Sequence, residues 1–518
     1  METNNNNPFR SYIPRWLGTI ILLLMFFPPT FSSGAYLGNI SEMQGSLGLY
    51  VEDIQMANNL VFVGMCLFIP FMIPYLLTRS VRQVYIWGFI GLAALNMICS
   101  IATSRWLLFF SCLLIGFIRI MLMLNCTFTL TPYVTGINTI GMFTAKQIPQ
   151  GDTAYKLNHM RTLGMPVLYF YILLIFMLCN ILMTHIAYVY SWRHCYYLEI
   201  GVLLTGALLV SLTMKDEEKK EPFNVDWNKM ADMLLMGTSL VCLCYVSTFG
   251  KVLNWLDSLV IRCFSLVGFL SAIIFVMLQL LRKKNHYLLL DMFCYRNVWI
   301  ASMLFIVSII FNSSNILITN LTHVASPAND MQIGEQSRWA ILGLFIGLAV
   351  SLWMTKRKMH FRSIFFMAFL FMGVSSIYMY FAFQNEILLQ QLIFPTVFIN
   401  AGLLIFYSVV AAFGMIKLPP KYLVSFVFVM ILTRNAVAPS IGNSIYSNWT
   451  YHRQQFYIEN FISKVDLERE DYPAETMHSL VLQSNLASWK ETTGYTIWMI
   501  IGMSVITLIL PYHKEETS

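Results

Sequence analysis

Apolar residues in this chain fall into fourteen separate runs, each about 17 to 25 residues long, divided by polar loops. A helix needs about 20 residues to cross a hydrocarbon core of roughly 30 Å, so each run has the length of one crossing. Few folds are open to such a chain. In lipid every backbone N–H and C=O must find its partner within the protein, which a helix achieves inside a single segment. The runs lie at roughly 15–35, 54–77, 84–103, 106–130, 164–188, 194–214, 229–249, 258–281, 298–320, 338–355, 363–383, 391–413, 421–443 and 493–512. The expectation is an all-α polytopic membrane protein with fourteen transmembrane helices. Composition excludes a soluble fold: charged residues make up 11% of the chain, against about 25% in a soluble domain.

The loops add sidedness. Lys and Arg crowd into alternate loops: Arg79 and Arg82, then Lys146, Lys156 and Arg161, then Lys215, Lys219 and Lys220. The series continues with Arg282, Lys283, Lys284 and Arg296, with Lys356, Arg357, Lys358 and Arg362, with Lys417 and Lys421, and with Lys514. The intervening short loops carry single charges such as Arg105, Arg193 and Lys251. By the positive-inside rule both termini are cytoplasmic. The net charge of +7 then serves orientation and contact with anionic membrane lipid, and implies no nucleic-acid partner. The first run follows an Asn-rich start with Arg10 and Arg15 and ends at no small-residue cleavage site, so it is expected to be a span and not a signal peptide.

Ten cysteines are scattered, mostly within apolar runs, without CxxC or Cys/His ligand spacing; they are expected to act as small core hydrophobes. No phosphate-binding Gly-rich loop, zinc-protease motif or nucleophile elbow occurs, so no enzyme activity, cofactor or metal is expected.

Two polar segments are long. Residues 131–163 fall on the cytoplasmic side, where Pro132, Gly136, Pro149 and Gly151 argue against one long helix. Residues 444–492 fall outside as an amphipathic loop, a connector or a docking surface for a partner. The basic loop Thr78-Arg79-Ser80-Val81-Arg82 after span two has a counterpart, Thr355-Lys356-Arg357-Lys358, after span ten. Loops at corresponding places suggest two six-helix bundles related by an axis along the membrane normal, with spans seven and eight as an inserted central helix pair. The expected division is 1–214, 215–297 for the linker and inserted pair, and 298–518.

Local motifs give this plan a family resemblance. Ser191-Trp192-Arg193 leads into an aromatic-rich span six, and Glu221-Pro222-Phe223-Asn224-Val225-Asp226-Trp227 precedes span seven. Asn254-Trp255-Leu256-Asp257-Ser258 precedes span eight; Leu288-Leu289-Leu290-Asp291-Met292-Phe293 and Arg296-Asn297 lead into span nine. In order and spacing these resemble the major facilitator superfamily, and within it the fourteen-span drug:proton antiporter branch typified by EmrB and QacA. The resemblance implies a secondary active exporter of amphipathic organic compounds in a bacterial inner membrane, working by alternating access and driven by protons. It also implies a periplasmic adaptor and an outer-membrane channel as partners. There are departures. Of the loop motif after span two only Arg79 and Arg82 remain as the expected gating loop, with Pro74, Thr78 and Val81 at the other positions. The acid that many drug:proton antiporters carry in span one is missing; that run offers Thr30, Ser32 and Ser33. The alternative is an importer or receptor-like relative of the same fold that has lost proton antiport.

Ionisable groups within a span cost at least ~2.5 kcal/mol each and mark function by default. Arg119 in span four lies about 20 Å below the outer end, and Glu199 in span six about 7 to 9 Å below it, counting the helical rise. Glu199 is the candidate proton carrier, with Arg434 of span thirteen as a possible ion-pair partner. Arg119, Asn125, Asn312, Asn315 and Asn400 are the candidate substrate-binding residues, on spans that line the central cavity in the resembling family. Asp232, at the cytoplasmic start of span seven, is expected to complement the helix dipole.

Overall fold

Proline and small residues decide where these apolar runs bend and how closely they pack. In the computed structural model the described residues are 7–35, 40–135, 163–216, 226–282, 286–325, 331–383, 388–416, 418–463, 474–510 and 512. Among them 88% are helical and none forms a strand. The first run is a broken helix: α1 (Arg15–Leu24) and α2 (Phe27–Phe31). Pro28 and Pro29 supply no N–H to the turn before them, so the ladder is interrupted between the two pieces. After α3 (Ile40–Leu47), span two is α4 (Val51–Phe68), a 3₁₀ turn Ile69–Phe71 containing Pro70, and α5 (Met72–Thr78). Ser80 caps α6 (Val81–Ile101), accepting from the Gln83 N–H at 3.2 Å.

The remaining helices are α7 (Arg105–Thr135), α8 (Met165–Val189), α9 (Trp192–Thr213), α10 (Trp227–Phe249) and α11 (Leu259–Leu281). They continue with α12 (Arg296–Ala325), α13 (Met331–Lys356), α14 (Phe361–Ala382), α15 (Ile393–Met415) and α16 (Pro420–Ile431). A π-helical turn, Leu432–Val437, then leads into α17 (Ala438–Ile462), and α18 (Ala474–Ile509) closes the series. Pro439 cannot donate to residue 435, and the turn preceding it widens. Among the described residues twelve helices are long and apolar enough to span; the shorter Arg15–Phe31 and Arg296–Val307 lie where spans one and nine are expected.

The contacts divide the chain into two compact units. One comprises Met1–Met160, Leu178–Ser302 and Gly414–Val437; the other comprises Arg161–Met177, Met303–Phe413 and Ala438–Ser518. In the first unit α4 and α7 cross at glycines. A Cβ on Gly64 would lie 2.1 Å from the Leu113 carbonyl oxygen, and one on Gly116 would lie 1.9 Å from that of Val61. In the second unit α13 meets α15 in the same manner: a Cβ on Gly343 would lie 2.3 Å from the Val397 oxygen, and one on Gly347 2.7 Å from the Ala401 oxygen. Backbones approach this closely only where side chains are absent, the small-residue packing of membrane helices. Spans two and four thus share a device with spans ten and twelve.

Two expectations change. The described parts of 444–492 are helical: α17 continues span thirteen to Ile462, and α18 begins at Ala474, while 464–473 lie outside the described residues. At about 1.5 Å per residue the 36-residue α18 is roughly 54 Å long, well beyond a hydrocarbon core. The polar halves of the two helices hold each other. Arg453 pairs with Glu491 at 2.9 Å and donates to the Tyr495 hydroxyl at 2.7 Å, while Tyr457 donates to Glu491 at 3.1 Å. An amphipathic pattern without Pro or Gly between 443 and 472 is what allows the helix to continue once a partner helix covers one face. Asp232 is likewise no exposed dipole partner. It is fully buried on α10, ion-paired with Arg282 and bonded by Gln279 Nε2 at 2.8 Å, so the inserted pair α10–α11 carries its own buried charge network. Of 131–163, residues 131–135 complete α7; 136–162, with Lys146, Lys156 and Arg161, lie outside the described residues.

Candidate functional site

The broken first span lies beside two buried ionisable residues of the first unit, Arg119 and Glu199. α2 ends at Phe31, and beyond it the chain turns through Gly34 at φ +67°. A Cβ on Gly34 would sit 2.8 Å from Cys112 Sγ, so both the backbone angle and the space favour glycine. The carbonyls at this end of α2 face neighbouring helices. Arg119 Nη1 donates to the Ser32 oxygen at 3.5 Å, Cys179 Sγ to that of Phe31 at 3.8 Å, and the Tyr196 hydroxyl to that of Gly34 at 2.5 Å. A helix C-terminus carries partial negative charge, so a guanidinium is well placed there. Asn96 on α6 reinforces the turn, its Nδ2 donating to Ser32 Oγ at 2.6 Å and to the Leu92 oxygen at 2.9 Å.

Glu199 on α9 is wholly buried, and neither carboxylate oxygen has a hydrogen-bond donor among the described residues. The cation whose charge acts on it is Arg119, itself 3% exposed. The two are near enough for their charges to interact, without a hydrogen bond from Arg119 to the carboxylate. Arg434 is not the partner that sequence spacing allowed. It sits in the π-helical turn, and its Nε donates to Asn435 Oδ1 at 2.9 Å. Arg193 is no partner for Glu199 either; its guanidinium lies 5.0 Å from the Trp192 ring centroid.

The neutral candidates disperse. Asn125 is buried on α7 and donates to the Val81 oxygen at 3.5 Å, which ties span four to the start of span three. Asn400 is buried on α15 in the second unit, bonded to the Thr396 oxygen at 2.8 Å; Thr396 in turn donates to Gln336 at 3.1 Å. Asn315 is half-buried on α12, and the Asn312 side chain lies outside the described residues. Ser314, from the same polar cluster, faces a cavity with room for about one water molecule, lined also by the hydroxyls of Ser375, Ser376, Thr493 and Thr496. The loop after span two is split in role. Arg79 is exposed, whereas Arg82 pairs with Asp216 at 3.3 Å and donates to the Ser211 oxygen at 3.2 Å, binding the loop to the end of span six. Asn96 was not singled out by sequence. Its signal was an amide in the middle of an apolar run, the same kind of signal that Asn125 gave.

No protein-family model and no curated protein matches the chain. Solved structures do. A peptide transporter POT, in complex with sulfate, is 16% identical with a TM-score of 0.54, covering 94% of each chain. The tetrameric PepTSo2 is 13% identical with a TM-score of 0.55, over 96% of this chain and 98% of that one. The nucleoside transporter NupG is 9% identical with a TM-score of 0.54, over 95% of this chain and 98% of that one. At such identities the likeness is one of architecture, and it runs nearly end to end: this polytopic α-helical membrane protein has the fold of the major facilitator transporters.

Proposed function

We propose that the chain is a secondary active transporter of the fourteen-span drug:proton type. It exports amphipathic organic compounds across a bacterial inner membrane by alternating access, with both termini inside. The observation that carries this reading is the buried carboxylate of Glu199, which lacks hydrogen-bond donors among the described residues and feels the charge of Arg119, itself bonded at the end of a broken helix. A buried carboxylate with one cation near it is a two-state element. Ionised, it holds the guanidinium; protonated, it releases it to the Ser32 carbonyl or to an acidic group on a substrate. Proton uptake and Arg119 availability are thereby linked. Span one supplies no acid of its own, and Glu199 fills that role from span six. The paired outer extension of α17 and α18 offers the surface for a periplasmic adaptor leading to an outer-membrane channel.

The test is substrate efflux in everted vesicles, with and without collapse of the proton gradient, for wild type, Glu199→Gln and Arg119→Ala. Gradient-driven movement that becomes gradient-independent in Glu199→Gln supports the assignment. Gradient-independent distribution in the wild type refutes proton antiport and leaves the importer or receptor-like reading. Unchanged coupling in Glu199→Gln removes the residue from that role.

A further inference from the structure

The inserted helix pair and the linker after it take no part in the site around Arg119, yet they carry a buried polar network of their own. Gln279, near the end of α11, is 3% exposed; its Oε1 accepts from the backbone N–H groups of Tyr287 at 2.9 Å and Leu288 at 3.1 Å. Its Nε2 reaches Asp232, the buried carboxylate paired with Arg282. The linker therefore leaves the inserted pair in a fixed direction. The Tyr287 hydroxyl donates to the Leu67 oxygen at 2.8 Å, in the last turn of α4 before the 3₁₀ break. The Tyr287 ring lies edge-on to Phe275 of the inserted pair at 5.9 Å, to Phe71 of span two at 6.0 Å and to Phe428 of span thirteen at 6.0 Å. From there the linker runs along α16. Leu289 N–H donates to Ser425 Oγ at 3.0 Å, Tyr295 meets Tyr422 at 5.4 Å, and Asn297 Nδ2 donates to the Ile416 oxygen at 3.4 Å.

We infer that residues 286–297 are a latch that fastens the inner end of span thirteen to span two, with Tyr287 as its key. The inference rests on the alternating-access reading, because a latch needs a motion to oppose. By the charge rule this end of the bundle, which carries Arg79, Arg282 and Lys421, faces the cytoplasm. Opening it requires α16 to leave α4 and the 3₁₀ turn. Tyr287 touches both sides of that seam and is held by a third element, the inserted pair. Its ring must then give up Phe428 or Phe71, and Ser425 must give up Leu289. Contacts that are lost when this seam parts shift the equilibrium toward the arrangement that has them. The fourteen-span plan gains a purpose for its extra pair: it anchors the latch through Asp232 and Gln279.

Native cysteines report the motion. Cys66 is fully buried one residue from Leu67, beneath the latch, and Cys179 is buried beside the α2 terminus. Full-length protein in liposomes is treated with N-ethylmaleimide, and modification at each cysteine is followed by mass spectrometry. Tyr287→Phe keeps the ring and removes one hydrogen bond, and Ser425→Ala removes the acceptor for Leu289. Each is expected to raise the Cys66 rate roughly two- to tenfold, the effect of one hydrogen bond on a two-state equilibrium, with Cys179 unchanged. An unaltered Cys66 rate in both variants overturns the latch. An equal rise at both cysteines also overturns it, since that is general loosening. No substrate is involved, so the two cysteine rates would still establish or refute the latch in a chain unable to couple transport to protons.

Discussion

Replacing Gly116 by alanine sets two effects of opposite sign against each other. Within a helix, Gly→Ala ordinarily stabilises by ~1 kcal/mol, because glycine loses more backbone freedom on folding. At the crossing of α4 and α7 the added methyl would lie 1.9 Å from the Val61 oxygen, where ordinary contact begins at 3.4 Å. The helices would have to part by about 1.5 Å, and the atom in the way is backbone, which cannot rotate aside. Overpacking of this kind costs ~1–3 kcal/mol, and with a backbone atom in the way the cost falls in the upper part of that range, so the net is destabilising by ~1–2 kcal/mol. Gly201 and Gly502, exposed with nothing within 4 Å, supply the comparison, since there only the propensity acts. The assay is thermal unfolding of purified full-length protein in one detergent at one scan rate, so that the midpoint reports relative kinetic stability. The expected order is Gly116→Ala below wild type, with Gly201→Ala and Gly502→Ala at or above it. Adding Gly64→Ala should cost less than it does alone, because the first substitution has already opened the same crossing. Arg119 lies three residues from Gly116, so the shifted helix also strains the bond from its guanidinium to the Ser32 carbonyl. A Gly116→Ala protein that melts at or above wild type would refute the argument.

Two further outcomes follow from named contacts. Arg282→Ala should destabilise more than Asp232→Ala, on the order of 3 kcal/mol against 1–2, because it strands a fully buried carboxylate while the reverse leaves a cation that can reach water; equal midpoints in thermal unfolding contradict this. Between α17 and α18, Glu491→Ala removes the group that Arg453, Tyr457 and Tyr495 share. Amide hydrogen exchange in 445–462 and 478–492 should rise severalfold while the exchange of α15 stays as in wild type, and unchanged exchange in both regions counts against the two helices being held by that cluster.

Much of the architecture was readable from the chain, and what was not readable has a common cause. Run length and loop charge are one-dimensional quantities, and they set the helical class and the expected sides of the membrane. The end of a span is harder to read once the helix leaves lipid. Residues 444–462 are polar enough to pass for a loop, and they are helical because α18 covers one face. Asp232 looked like a helix-end carboxylate until Arg282 and Gln279, some fifty residues away, closed over it. Glu199 and Arg119 were singled out separately as isolated charges in apolar runs, whereas their proximity depends on the packing of two helices and on the broken end of a third.

The sequence by itself therefore determined that the backbone must be helical and membrane-spanning, because no other arrangement satisfies so many N–H and C=O groups in lipid. It also pointed to the few charges that such a helix does not bear without cause. Only the tertiary structure decided which of those charges meet. Coulomb interaction falls with distance in space and not along the chain, so that Glu199 feels the charge of Arg119 and not that of Arg434 belongs to the packing of α2, α7 and α9.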